Sequence, residues 1–247
     1  HLQRRRQRQM CIRDSNESLP KPKIVRKREK GIIYSVSSWG GYFYIHTNKG
    51  AEDFKIERSR DIEASKWEVF IPAKNETMIG GLTFLKNWII RSELNNALDK
   101  IFVRNINSNK EEELIFTDEE VYDGSISHTQ KDRNTDLIYI SYSTPKTQAR
   151  TYLYNLKTKE KKLVKEQVIP TGHDPKNYIV QRIECNSDDG RKVPLTITRH
   201  KDTPLDGSAN LLLYGYGSYG ASMSPSFSST RLSPVSYTHL RAHETQR

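Results

Sequence analysis

Cysteine is nearly missing from this 247-residue chain, which has two, and glycine is sparse at 13. No apolar run is long enough to cross a bilayer as a helix. These shortages exclude, in turn, a disulfide-stapled scaffold, a collagen-like repeat and a membrane-spanning helix. Apolar residues make up 34% and aromatics 9%, low values that still suffice for a core at this length. Charge is plentiful: 28% of the residues are Asp, Glu, Lys or Arg, with a net charge of +10.

Much of that positive excess sits at the ends, which do not resemble the chain between them. Met10-Cys11-Ile12-Arg13-Asp14 can be written ATG TGT ATA AGA GAC, and the complementary strand then reads Val-Ser-Tyr-Thr-His. Those are residues Val235-Ser236-Tyr237-Thr238-His239, so the two ends are consistent with translations of one inverted repeat. They also resemble in-frame translations of the adapters that a transposase leaves on sequencing libraries. Residues 1–15 and 234–247 are therefore expected to be adapter-like artefacts around an insert, 16–233, truncated at both ends. Without them Lys+Arg falls from 40 to 33 and Asp+Glu from 30 to 28, a net charge of +5. The remaining charges are interspersed, as in the basic Lys157–Lys162 and the acidic Glu111–Glu113. A nucleic-acid footprint would instead gather Lys and Arg with stacking aromatics on one face, so no nucleic-acid partner is expected. Cys185 alone remains in the insert, which is compatible with a reducing compartment.

From Ile24 to about Lys165 the chain consists of short alternating or β-branched runs separated by turns. Three stretches follow one plan. The first joins Ile32–Ser38, Tyr42–Ile45, Phe54–Ile56 and Trp67–Phe70, with a turn at Asn48-Lys49-Gly50. The second joins Gly81–Phe84, Trp88–Ile90, Ile101–Val103 and Glu113–Phe116, turning near Asn95-Asn96. The third joins Ser125–Thr129, Leu137–Ile140, Thr151–Tyr154 and Lys162–Val164, turning at Thr144-Pro145-Lys146. Equivalent strands recur about every 45–50 residues, the size of a four-stranded propeller blade. A β-sandwich also spaces its strands regularly, but has no reason to group them in fours.

The character changes after Pro170-Thr171-Gly172. Tyr178–Cys185 and Val193–His200 read as two strands joined by Asp188-Asp189-Gly190, a hairpin turn sequence. Cys185 is then expected on a buried strand as a small hydrophobe. Beyond a polar loop, Leu211–Tyr214 reads as a strand buried on both faces. It leads into Gly215-Tyr216-Gly217-Ser218-Tyr219-Gly220, which matches G-x-G-x-x-G. A dinucleotide site would need a helix opening there to hold the pyrophosphate. The next residues, Ala221-Ser222-Met223-Ser224-Pro225-Ser226, form helices poorly, and no acidic residue follows within the insert for a ribose. The alternative is a strand-end loop that presents a tyrosine hydroxyl, a neutral donor able to stabilise an oxyanion. Plain packing of Tyr214, Tyr216 and Tyr219 would leave the same sequence.

The stretch Asn210–Ser233 resembles the segment that opens the catalytic domain of the prolyl oligopeptidase family of serine peptidases. Its Gly-Ser-Tyr-Gly ending is similar to the oligopeptidase B branch, and the hairpin Tyr178–His200, with Asp189-Gly190-Arg191-Lys192-Val193-Pro194, also resembles that family. The resemblance implies a mainly β chain: about three blades of a seven-bladed β-propeller over 16–172, then the first strands of an α/β-hydrolase peptidase domain over 173–233. It implies hydrolysis of short peptides after Lys or Arg, with Tyr216 as an oxyanion donor and Tyr219 lining the substrate pocket. The nucleophilic Ser and its Asp and His partners would lie outside this chain, which by itself should be inactive. His46, His128, His173 and His200 are not taken as catalytic, nor is His128 with Asp132, since a base and its orienter are set by spatial geometry.

Peptide substrates are thus the expected partners, with no membrane, no metal and no cofactor. A cytoplasmic location is expected, and a periplasmic one stays open. Two rivals remain: a prolyl-specific oligopeptidase of the same family, and a non-catalytic propeller that only binds.

Overall fold

The computed structural model describes residues 24–64, 66–128 and 133–236. The adapter-like stretch 1–15 lies outside them, as do residues 237–247 of the other end, the strand end expected at Thr129, and Asp132.

Three antiparallel sheets follow one another, each with four strands hydrogen-bonded in chain order. The first holds β1 (Tyr34–Trp39), β2 (Tyr42–Thr47), β3 (Lys55–Ser59) and β4 (Glu68–Ile71). In the second are β5 (Thr77–Leu85), β6 (Trp88–Asn95), β7 (Leu98–Asn105) and β8 (Glu111–Glu113). The third contains β9 (Asp123–His128), β10 (Leu137–Ser143), β11 (Arg150–Asn155) and β12 (Lys161–Glu166). The fold is mainly β, and the grouping in fours is that of a partial β-propeller. One strand is displaced from its expected place: β8 ends at Glu113, where Glu113–Phe116 was expected. Leu114 and Phe116 are buried after the strand rather than within it. Leu114 N–H donates to the Ile101 carbonyl at 2.8 Å, and the Phe116 ring packs on Tyr122 at 5.4 Å. Gly124 lets those two rings close in, because a Cβ there would stand 3.0 Å from Tyr122 and 3.1 Å from Phe116.

Two compact units divide the described residues: Ile89–Asn95 fold with those up to Phe84, and Leu85–Trp88 fold with those from Asn96 onward. In the first unit, neighbouring residues of β2 point to opposite faces, as strand geometry requires. Tyr44 joins Ile56, Ile71, Ile79, Phe84 and Ile89 on one side. Ile45 joins Val36 and Trp67 on the other. The first sheet is therefore covered on both faces, as a blade must be. Ile45 and Ile56 are fully buried, and such a side chain contributes roughly 1.5–3 kcal/mol.

His46 ties this sheet to β5. Its Nε2 lies 2.7 Å from the Ile79 carbonyl oxygen, which can only accept, so Nε2 carries the proton. The ring stacks on Phe54 at 4.6 Å. Burial holds the imidazole pKa below the ordinary histidine value, opposed by the bond to Ile79. A lowered folded-state pKa means that the unfolded chain takes up the proton first as the pH falls. This stabilisation is full above about pH 6.5 and is lost as the pH drops towards the folded-state pKa. The urea midpoint should therefore fall between pH 7.5 and 5.5, and fall less in His46→Gln. Equal falls in the two proteins would assign the pH dependence to other groups.

In the second unit the turns repeat as well. Asn105 Oδ1 accepts from the N–H groups of Asn107 and Ser108, both at 3.0 Å. Fifty residues later, Asn155 Oδ1 accepts from Lys157 at 2.9 Å and Thr158 at 3.1 Å. The asparagine side chain mimics a turn of backbone at the same place in consecutive sheets. Between β6 and β7, Asn96 and Ala97 both have positive φ, 50° and 56°, the signature of a type I′ hairpin.

Candidate functional site

The second unit continues into a two-stranded hairpin, β13 (Tyr178–Asn186) and β14 (Lys192–His200), in register from Tyr178↔His200 to Asn186↔Lys192. Its turn is built as the sequence suggests: Ser187 N–H donates to the Arg191 carbonyl at 2.8 Å, and Gly190 takes φ 79°. Arg182 fastens the hairpin to the β6–β7 turn, donating to the Asn96 carbonyl and, at 3.0 Å, to Thr196 Oγ1. Cys185 is exposed, which corrects the expectation of a buried strand. The physical reason is that this sheet has only two strands.

A second correction concerns Leu211–Tyr214. These residues belong to no strand and are exposed, Leu211 at 82%. Apolarity makes burial favourable but cannot supply the neighbouring backbone that a strand requires. Among the described residues, β13 and β14 pair only with each other.

The glycine-tyrosine loop follows. Ser218–Gly220 form one 3-10 turn, closed by Ala221 N–H on the Ser218 carbonyl at 3.1 Å. Tyr219 occupies the left-handed region (φ 60°, ψ 25°) and projects outward, 95% exposed, while Tyr216 is 52% exposed. No helix opens at the glycines; α1 (Ser229–Ser236) begins well beyond them, so the loop lacks the helix N-terminus that a dinucleotide would need. The chain is secured again past the loop. Pro225 is buried, Phe227 N–H donates to Ser143 Oγ at 3.1 Å, and Leu232 of α1 is buried. The loop thus holds two phenols in the open.

The histidines are engaged locally. His173 Nε2 donates to the Lys146 carbonyl at 2.6 Å, and His200 Nδ1 accepts from Asp202 N–H at 3.4 Å. The side chain of His128 lies outside the described residues. Among the described residues no three His, Cys, Asp or Glu side chains gather as a metal site. No described helix is long and apolar enough to cross a membrane.

Four-stranded meanders in series, with the first covered on both faces, define a β-propeller protein. Residues 4–167 match the prolyl oligopeptidase N-terminal β-propeller domain. Dipeptidyl aminopeptidase BI of Pseudoxanthomonas mexicana is 32% identical over 214 residues, 85% of this chain and 29% of that protein. Protease 2 of Moraxella lacunata is 29% identical over 221 residues, 89% of this chain and 31% of that protein. Oligopeptidase B from Trypanosoma brucei, in a closed form with covalently bound antipain, has a TM-score of 0.80 at 27% identity, covering 87% of this chain and 32% of that one. The chain belongs to the prolyl oligopeptidase family, whose members named here are peptidases. It spans about three-tenths of the length of these relatives.

Proposed function

We propose that the complete protein containing this chain is a serine-type oligopeptidase that hydrolyses short peptides on the carboxyl side of Lys or Arg. The observation that carries this reading is the loop Tyr214-Gly-Tyr-Gly-Ser-Tyr-Gly220, set directly behind a propeller of this family. Similarity to protease 2 and oligopeptidase B supports a peptidase, and the choice of Lys or Arg rests on the resemblance of the Gly217-Ser218-Tyr219-Gly220 ending to the oligopeptidase B branch. In this reading a serine attacks the scissile carbonyl, and Tyr216 with a backbone N–H receives the oxyanion. Tyr219 lines the pocket, residues 16–172 belong to the propeller that excludes folded proteins, and 173–233 open the hydrolase domain. The 247 residues contain no Gly-x-Ser-x-Gly elbow, so a nucleophile must come from elsewhere in the protein. In this reading it works on peptides in the cytoplasm, with the periplasm as the alternative.

A second reading follows from the 32% identity to a dipeptidyl aminopeptidase: release of dipeptides from a free N-terminus. The test is to express the complete reading frame beside the present chain. Each is assayed with an N-blocked Arg reporter, an N-blocked Pro reporter and a dipeptide reporter with a free amine. The complete protein should prefer the blocked Arg reporter, and the present chain should match a vector-only control. Preference for the free-amine or the Pro reporter would overturn the specificity, and hydrolysis of none would overturn the peptidase reading.

A further inference from the structure

Between His200 and Phe227 the chain makes a long excursion with Tyr216 and Tyr219 in its distal part. Leu205, Leu211–Tyr214, Tyr216 and Tyr219 are exposed along it, so little holds the excursion along its length. Its two feet, however, meet on one ladder of four rings. His200, at the first foot, stands edge-on to Tyr178 at 5.9 Å and 89°. Tyr178 stacks on His173 at 5.3 Å and 28°. His173 in turn meets Phe227, at the second foot, edge-on at 5.1 Å and 67°. Both edge-on contacts and the offset stack are favoured arrangements for aromatic rings.

The ladder is also fastened to the third sheet. His173 Nε2–H donates to the Lys146 carbonyl at 2.6 Å, in the turn after β10. Phe227 N–H donates to Ser143 Oγ, in the last residue of β10, at 3.1 Å. That turn is itself rigid: Thr144 and Thr147 exchange backbone bonds at 3.0 and 3.2 Å, and both are buried. Two bonds from one short stretch of sheet thus hold the ladder that closes the base of the excursion.

We infer that His173 is a positioning residue: by clasping both feet of the excursion to the third sheet, it sets where Tyr216 stands. The inference rests on the oxyanion role proposed for Tyr216. A donor displaced by about 1 Å loses much of its effect on the transition state, and such misplacement can cost on the order of 100-fold. The clasp does not touch substrate, so its loss should act through the tyrosines that the excursion carries, with the oxyanion contact of Tyr216 read in kcat.

The test is a double-mutant cycle in the complete enzyme. His173→Phe keeps a ring for Tyr178 and Phe227 but removes the donor to Lys146. It should lower kcat about tenfold or more, and that loss in kcat should add nothing further in the Tyr216→Phe background. His173→Gln, which can place an amide N–H near the Nε2 position, should recover part of the loss. Ser143→Ala removes the other fastening and should lower kcat in the same sense, so the inference does not hang on one variant folding. Wild-type kcat in both His173→Phe and Ser143→Ala, or losses that multiply fully with Tyr216→Phe, would overturn it. If Tyr216→Phe itself is without effect, the oxyanion reading fails, a result distinct from failure of the clasp.

Discussion

Tyr216→Phe in the complete enzyme is expected to lower kcat by about 10²–10³-fold, or roughly 2.7–4 kcal/mol of transition-state stabilisation, and to leave KM close to wild type. The substitution removes only a phenolic O–H. Half of the Tyr216 side chain is already exposed at 52%, and Phe keeps the ring for whatever packing remains, so the fold should be unchanged. The ground-state carbonyl oxygen carries little charge, whereas the tetrahedral oxyanion carries a full one. A donor aimed at the latter is therefore felt in kcat and scarcely in substrate binding. Single-turnover rates measured beside kcat keep slow product release from hiding the effect. An unchanged single-turnover rate would return Tyr216 to ordinary packing.

Breaking the buried ion cluster in the first unit should produce a stability loss of similar size. Glu93 and Arg91 are each only 3% exposed. Glu93 Oε1 accepts from Arg91 Nε at 2.8 Å and from Lys74 Nζ at 2.7 Å, and Oε2 takes a second bond from Lys74 at 2.8 Å. One carboxylate thus bonds to two cations where water has little access. Lys74 can turn its ammonium to solvent, since its side chain is 40% exposed; Arg91 cannot. Glu93→Gln leaves the guanidinium without this counter-charge, and removing one partner of a buried pair costs about 3–5 kcal/mol. Set against a total of roughly 5–15 kcal/mol for a typical domain, that is a large fraction. The urea midpoint of the chain should fall accordingly. Replacing both partners, Arg91→Met with Glu93→Leu, should recover most of the loss, because an apolar pair has no charge to desolvate. A loss below about 1 kcal/mol in Glu93→Gln would mean that the pair behaves as a solvated one.

Local rules carry far along this chain because its sheets are built from neighbours in sequence. Period-two alternation and turn residues place the strands of the three sheets, β8 excepted, and the β13–β14 hairpin, since each pairs with the strand next to it. The Asx turns at Asn105 and Asn155 are legible in the same way, as an asparagine followed three residues later by Ser108 or Thr158. The Gly-Tyr loop was visible as a motif, and its failure to open a helix followed from the serines and proline after it.

Other features were decided only by the assembled structure. Arg91 and Glu93 lie on a strand where polar residues ordinarily read as solvent-facing; they are buried because Lys74, from before β5, folds over Glu93 and satisfies it. The four-ring ladder joins residues 173, 178, 200 and 227, and nothing in their spacing announces it, because contact across a fold depends on the path of the backbone rather than on period. Leu211–Tyr214 marks the boundary between the two kinds of knowledge. Its sequence fully determines that burial would be favourable, since that is a property of the side chains themselves. Whether the run becomes a strand depends on a neighbouring backbone to accept and donate its hydrogen bonds, and tertiary structure alone supplies that.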